Sequence, residues 1–117
     1  MDRIDKILNH DLFLYHLGKN NAAEADRRFC RHGMVHFLDE ARIGTIIALE
    51  EGLKIDREWI YAAALLHDCG KHEQYESCIP HGQASARIAP EILKACGFND
   101  EETGVIAVSY THLTLPT

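Results

Sequence analysis

The chain has no basic cluster, no long apolar run, no paired-cysteine motif and no stretch of strand-like alternation. Each absence removes a class of protein. Twelve Lys and Arg stand against eighteen Asp and Glu, a formal net charge of −6. Nonspecific nucleic-acid binding neutralises phosphates with basic side chains, so no nucleic-acid partner is expected. A small phosphate ligand stays compatible, because a metal and one or two cations outweigh a mildly acidic exterior. No apolar run approaches the ~20 residues of a membrane-spanning helix, so no membrane partner is expected either. The start, Met1-Asp-Arg-Ile-Asp-Lys6, lacks the basic-then-apolar order of a signal peptide. Cys30, Cys69, Cys78 and Cys96 show no CxxC spacing and are expected to be reduced thiols in a cytoplasm. Internal repeats and low-complexity segments are absent. What is present is 117 residues, 46% of them hydrophobic. That suits one domain with a real core and excludes a disordered chain.

The apolar period is helical throughout. Asp2 to about Asn9 predicts a short helix, and Asp11 to Leu17 another, closed by Gly18. Asn21 and Glu24 have capping-box spacing, which predicts a helix from Ala22 to about His32. Met34, Phe37, Leu38 and Ala41 recur at i, i+3, i+4 and i+7; Ile43, Ile46 and Ile47 continue the pattern with a shift of face to an end near Gly52. Asp56 is a good N-cap for the next helix. There Ile60, Ala63, Ala64 and His67 share a face, which predicts that His67 projects from the buried side at the helix end. Gly70 would then let the chain turn. After Pro80, Ala84 and Ile88 share one face of a helix reaching about Ala95, which Pro90 should kink or divide. Asp100 is a plausible cap for a last helix from near Glu101. The fold class is all-α with short connections.

Against this background the dipeptide His67-Asp68 stands out. It ends the apolar run Tyr61 to Leu66, where packing gives no reason for an imidazole beside a carboxylate. Neutral imidazole nitrogen and carboxylate oxygen are standard ligands of a divalent transition metal. A buried Asp68 would need a cationic partner or dense hydrogen bonding. His36 begins another apolar helix, so two helices could bring three ligands together and leave open positions for water or substrate. A buried, hydrogen-bonded structural pair is the competing view of His67 and Asp68. His32 lies four residues from His36, either as a ligand or, the favoured option, as a partly exposed residue near the pocket. Lys71 either offsets charge on a phosphoryl group or stabilises a helix C-terminus by about 0.3–1 kcal/mol. Arg31 and Arg42 could meet phosphate through their planar forks or form surface salt bridges. Cys78 and Cys96 look like packing residues. His10, His16 and His72 carry no signal.

The stretch Arg31 to Arg42, the motif Leu65-Leu66-His67-Asp68-Cys69-Gly70-Lys71 and His81 before a helix together resemble the HD-domain superfamily of metal-dependent phosphohydrolases. The likeness spans roughly residues 25 to 107 and is nearest to small bacterial stand-alone members with a His-Asp-Ile-Gly motif followed by a basic residue. It implies a compact helical bundle and a divalent metal (Mn, Fe, Co, Ni or Zn) held by His36, His67 and Asp68. His81 falls where two-metal members carry an extra histidine. Cys69 replaces the usual Ile, a small apolar change that should pack acceptably. Nothing matches the family's final Asp.

Val108 to Thr117 resembles the translation of a transposase adapter used in sequencing libraries. We therefore expect an N-terminal helical extension over 1–24, an HD domain over 25–107 that is incomplete at its C-terminus, and a non-native tail over 108–117. His112 is excluded as a ligand on that ground. The expected activity is hydrolysis of a nucleotide or other small phosphorylated metabolite. In it Asp68 binds metal and orients water, and Lys71 or an Arg offsets substrate charge. The alternative is a non-catalytic, metal- or nucleotide-binding regulatory module.

Overall fold

The computed structural model describes residues 1–25, 33–77 and 81–112, without the side chains of 74, 76–77, 81–83 and 107–112. Among these residues the chain forms helices only: α1 (Asp2–Leu8), α2 (Asp11–Ala23), α3 (Met34–Glu50), α4 (Arg57–Leu66), α5 (Lys71–Ser77), α6 (His81–Ala95) and α7 (Asp100–His112). The all-α expectation holds.

Local signals set several boundaries. His10 caps α2, its Nδ1 accepting from Leu12 N–H at 3.1 Å. Asp56 caps α4 as expected, its Oδ1 accepting from Glu58 N–H at 2.8 Å. Gly52, at φ +69°, ends the α3 exit in a conformation that suits glycine. The cap of α7 is Asn99, not Asp100. Asn99 Oδ1 accepts from Glu102 N–H at 2.8 Å, and Glu102 Oε1 accepts from Asn99 N–H at 3.1 Å. This reciprocal box satisfies two donors at once, which Asp100 alone cannot do. The α7 helix runs unbroken across the Ala107–Val108 junction to His112.

Tertiary packing overrides two breaker signals and one start signal. α2 passes through Gly18 to Ala23, because Phe13, His16 and Asn20 are buried on both sides of it. Such burial offsets the ~1 kcal/mol that glycine costs a helix. Asn21 consequently lies inside α2 and starts no new helix; the remainder of the helix expected there, residues 26–32, lies outside the described residues. Pro90 sits within an undivided α6. Ile88, Ala89, Ile92 and Leu93 bury both halves of that helix in the core, against the ~3 kcal/mol penalty of an interior proline.

The core also uses a different face of α4 from the one expected. Ala62, Leu65, Leu66 and Cys69, again at i, i+3, i+4 and i+7, are buried with Ile4, Ile7, Phe13, Phe37 and the α6 residues. The neighbouring face, with Ile60, Ala63 and Ala64, lines a groove, and His67 keeps its side chain 18% exposed. Both faces carry the same period, so periodicity cannot choose between them. Burial pushes the Cys69 thiol up to about 12, as befits a packing residue. α1 is tied across the top of α4 and α7. Arg3 donates from Nε to Glu58 at 2.9 Å and from Nη1 to Glu102 at 2.9 Å, with its guanidinium 4.1 Å from the Phe98 ring centroid. Trp59 Nε1–H donates to the same Glu102 at 2.7 Å.

Candidate metal centre

His36 stands in the first turn of α3, and His67 and Asp68 follow the last residue of α4. α3 packs along α4, so the helix starts and ends meet. His36 Nε2 lies 3.4 Å from Asp68 Oδ2, and His67 Nε2 lies 3.1 Å from the same oxygen. The structure adds a fourth member. Glu40 places Oε1 2.6 Å from His36 Nε2 and Oε2 2.7 Å from His67 Nε2. One ligand atom from each of His36, Glu40, His67 and Asp68 lies within 4.8 Å of all the others. Glu40 was readable in principle. It follows His36 at i+4, on the same helix face, but an acidic residue at that spacing is also a common surface feature.

The donor set fits a divalent cation. Opposite ligands of one ion are separated by about twice a ~2.0–2.2 Å bond, close to the spread seen here. Mixed imidazole and carboxylate donors suit first-row transition metals. His67 Nδ1 is 3.0 Å from the Ala64 carbonyl, so its N–H can donate there and present Nε2 to the cluster. Burial opposes a charge on His67, but Asp68 and Glu40 outweigh it and push the imidazole up to about 10. The same two carboxylates would favour a bound cation in place of a proton on Nε2.

The turn after Asp68 is held from two sides. Gly70 N–H donates to Ser85 Oγ on α6 at 3.0 Å. A Cβ on Gly70 would stand 2.6 Å from Ala84 Cβ and 2.8 Å from the Ala84 carbonyl carbon and Ser85 N. Gly70 lies in the turn, as expected, without a positive φ, and what requires glycine there is the close approach of α6. Only Gly52 and Gly97 adopt positive φ among the described glycines. From the other side Asn20 of α2 bonds to the Asp68 carbonyl and the His72 amide, each at 2.9 Å.

The remaining candidates are distributed as follows. Lys71 opens α5, a helix the sequence did not announce, with Nζ 5.8 Å from the Tyr75 ring centroid. Arg42 is exposed and lies 3.4 Å from Asp39 on its own helix, the surface pairing weighed against a phosphate role. Arg31 and His32 lie outside the described residues. His81 opens α6, but its side chain lies outside the description. Glu40 and His67 also border a groove of about 390 Å³ between α3, α4 and α7, whose other walls are mainly apolar, Ile47, Trp59 and Ile60 among them.

An all-helical domain with two imidazoles and two carboxylates converging at the junction of two helices is a recognisable class. The HD domain family model matches residues 33–116, and the chain belongs to that family. It is also 47% identical over 106 residues to an uncharacterized protein of Clostridium beijerinckii, an alignment covering 91% of this chain and 68% of the relative. No solved structure matches.

Proposed function

We propose that this protein is a metal-dependent phosphohydrolase acting on a nucleotide or another small phosphorylated metabolite. The observation that carries this reading is the convergence of His36, Glu40, His67 and Asp68 at one place. These residues would hold a divalent cation, with Mn, Fe, Co, Ni and Zn all compatible with the donor set. When bound, such a cation lowers the pKa of a coordinated water and polarises a phosphoryl oxygen.

The protein's own share is positional and electrostatic. The Ala64 carbonyl orients the His67 ring through Nδ1. Asp68, with its side chain 6% exposed, supplies a desolvated carboxylate oxygen between the two imidazoles. Glu40, 35% exposed, is the more open carboxylate and the better placed to accept a proton at Oε1 or Oε2 from an attacking water. Lys71 and Arg42 remain the cations from which charge on the phosphoryl group could be offset.

Metal analysis of the purified protein, followed by a phosphatase screen with added Mn or Co, tests this reading. His67→Ala and Asp68→Ala should each abolish both metal content and hydrolysis. Hydrolysis retained in either variant refutes the assignment. Metal bound without turnover of any phosphorylated substrate favours a regulatory module. Absence of bound metal, with melting unchanged by a chelator, leaves His67 and Asp68 as a structural pair.

A further inference from the structure

The structure assigns Asn20 as the residue that positions the metal-binding turn. This inference rests on the metal reading above and extends it to α2, which precedes the residues matched by the family model. Asn20 is fully buried. Its Nδ2 donates to the carbonyl of Asp68, and its Oδ1 accepts the N–H of His72, each at 2.9 Å. Asp68 lies in the short turn that joins α4 to α5, and His72 lies in the first turn of α5. The Asp68 carbonyl also accepts Lys71 N–H at 3.0 Å, which closes the turn internally. One carboxamide therefore clamps both ends of the segment that begins at a ligand.

The chemistry explains why the residue is asparagine. A short neutral side chain that donates from one atom and accepts at another, in a fixed plane, is a carboxamide. Aspartate lacks the donor, and an aliphatic residue lacks both functions. Asparagine is also a poor residue for a helix interior, because it competes for backbone hydrogen bonds. Its presence in the third turn of α2 contradicts local preference and agrees with a tertiary role.

Asn20 is held in place by its helix neighbours. One turn before it, His16 Nδ1 lies 2.8 Å from His72 Nε2. One turn after it, Glu24 accepts a 2.6 Å hydrogen bond from Tyr75 O–H. His16 and Asn20 within α2 and Glu24 at its C-cap thus engage the turn and α5 through polar contacts, with Asn20 at the middle. Fixing the Asp68 carbonyl fixes its Cα, and with it the direction in which the carboxylate leaves the backbone. Groups that orient metal ligands in this way typically change metal affinity by about 10–100-fold when removed.

The test measures Co²⁺ affinity by competition with a chromophoric chelator, and the visible Co²⁺ spectrum, on the full chain and on Asn20→Ala and Asn20→Asp. Asn20→Asp keeps the acceptor for His72 N–H and removes the donor to the Asp68 carbonyl, so it retains half of the clamp if Asn20→Ala fails to fold. Folded variants should bind Co²⁺ about 10–100-fold more weakly, with an altered ligand-field spectrum. Wild-type affinity and spectrum in a folded variant overturn the role of Asn20 alone. A wild-type protein that takes up no Co²⁺ overturns the metal reading and this inference with it. Amide hydrogen exchange in the wild-type protein gives a readout independent of variant folding. His72 N–H should be protected, and exchange at the rate of an exposed amide overturns the clamp.

Discussion

On one side of the turn that carries His67 and Asp68, α2 and its C-cap bury His16, Asn20 and Glu24 against that turn and α5. On the other side, α3 exposes Ile43, Ile46 and Ile47, and the loop after it exposes Leu53 and Ile55. Polar groups are inside on the first flank and apolar groups outside on the second. The difference shows that burial here follows the availability of partners. A buried polar atom is tolerated where a partner meets it with good geometry. Burial and the neighbouring His72 hold His16 below its usual value, which keeps a neutral ring in that contact. An isoleucine is buried only if another element covers it, and among the described residues none closes over these side chains of α3.

The contrast is sharpest between Phe13 and Ile46, two apolar side chains on opposite flanks. Phe13 is fully buried beside the polar stripe of α2, so Phe13→Ala should cost about 3–5 kcal/mol in chemical denaturation, the usual range for a large-to-small core change. A loss below ~1 kcal/mol would mean that α2 is not part of the cooperative fold. Gly70→Ala should come next. The added methyl meets α6 backbone, and overpacking of this kind costs about 1–3 kcal/mol. Unchanged denaturation of that variant would show that α6 does not approach the turn as closely as described.

Ile46→Ser should be nearly neutral, within about 0.5 kcal/mol, because the side chain is 54% exposed. A large loss there would reveal that the exposed face is covered in solution and would erase the contrast. The smallest effect concerns pH. The Asn99 amide, and after it Trp59 and Arg3, hold Glu102 below its ordinary value of 4.5. A carboxylate depressed in the folded state stabilises at pH above its unfolded value and loses that contribution as pH falls through the folded one. Melting followed from about pH 6 to about pH 3 should therefore fall more steeply in wild type than in Glu102→Gln. Parallel curves would contradict it.

Much of the architecture was legible along the chain. The end of α3 before Gly52 and the Asp56 cap of α4 follow from local chemistry that needs no partner. His36, His67 and Asp68 were legible as a set, because a carboxylate and imidazoles at the ends of apolar helices make little sense without one another. Glu40 was not, since i, i+4 acid–histidine spacing occurs on many solvated faces. His16, Asn20 and Glu24 were invisible for a stronger reason. Their partners, His72, the backbone of Asp68 and Tyr75, are about 50 residues away, and no periodicity of α2 encodes a hydrogen bond to another helix. The turn at Gly70 was legible, yet the close contact that requires glycine there depended on where α6 lies.

By itself the sequence determined the helical class, most helix starts, and the residue types able to bind a cation, because these depend on propensity, capping and donor chemistry within a few residues. Tertiary structure alone decided which face of α4 enters the core, that α2 continues past Gly18, that Glu40 joins the cluster, and that Asn20 grips the turn beneath Asp68. Those outcomes depend on contacts between segments far apart in the chain, where the geometry of packing selects among faces that look equivalent in one dimension.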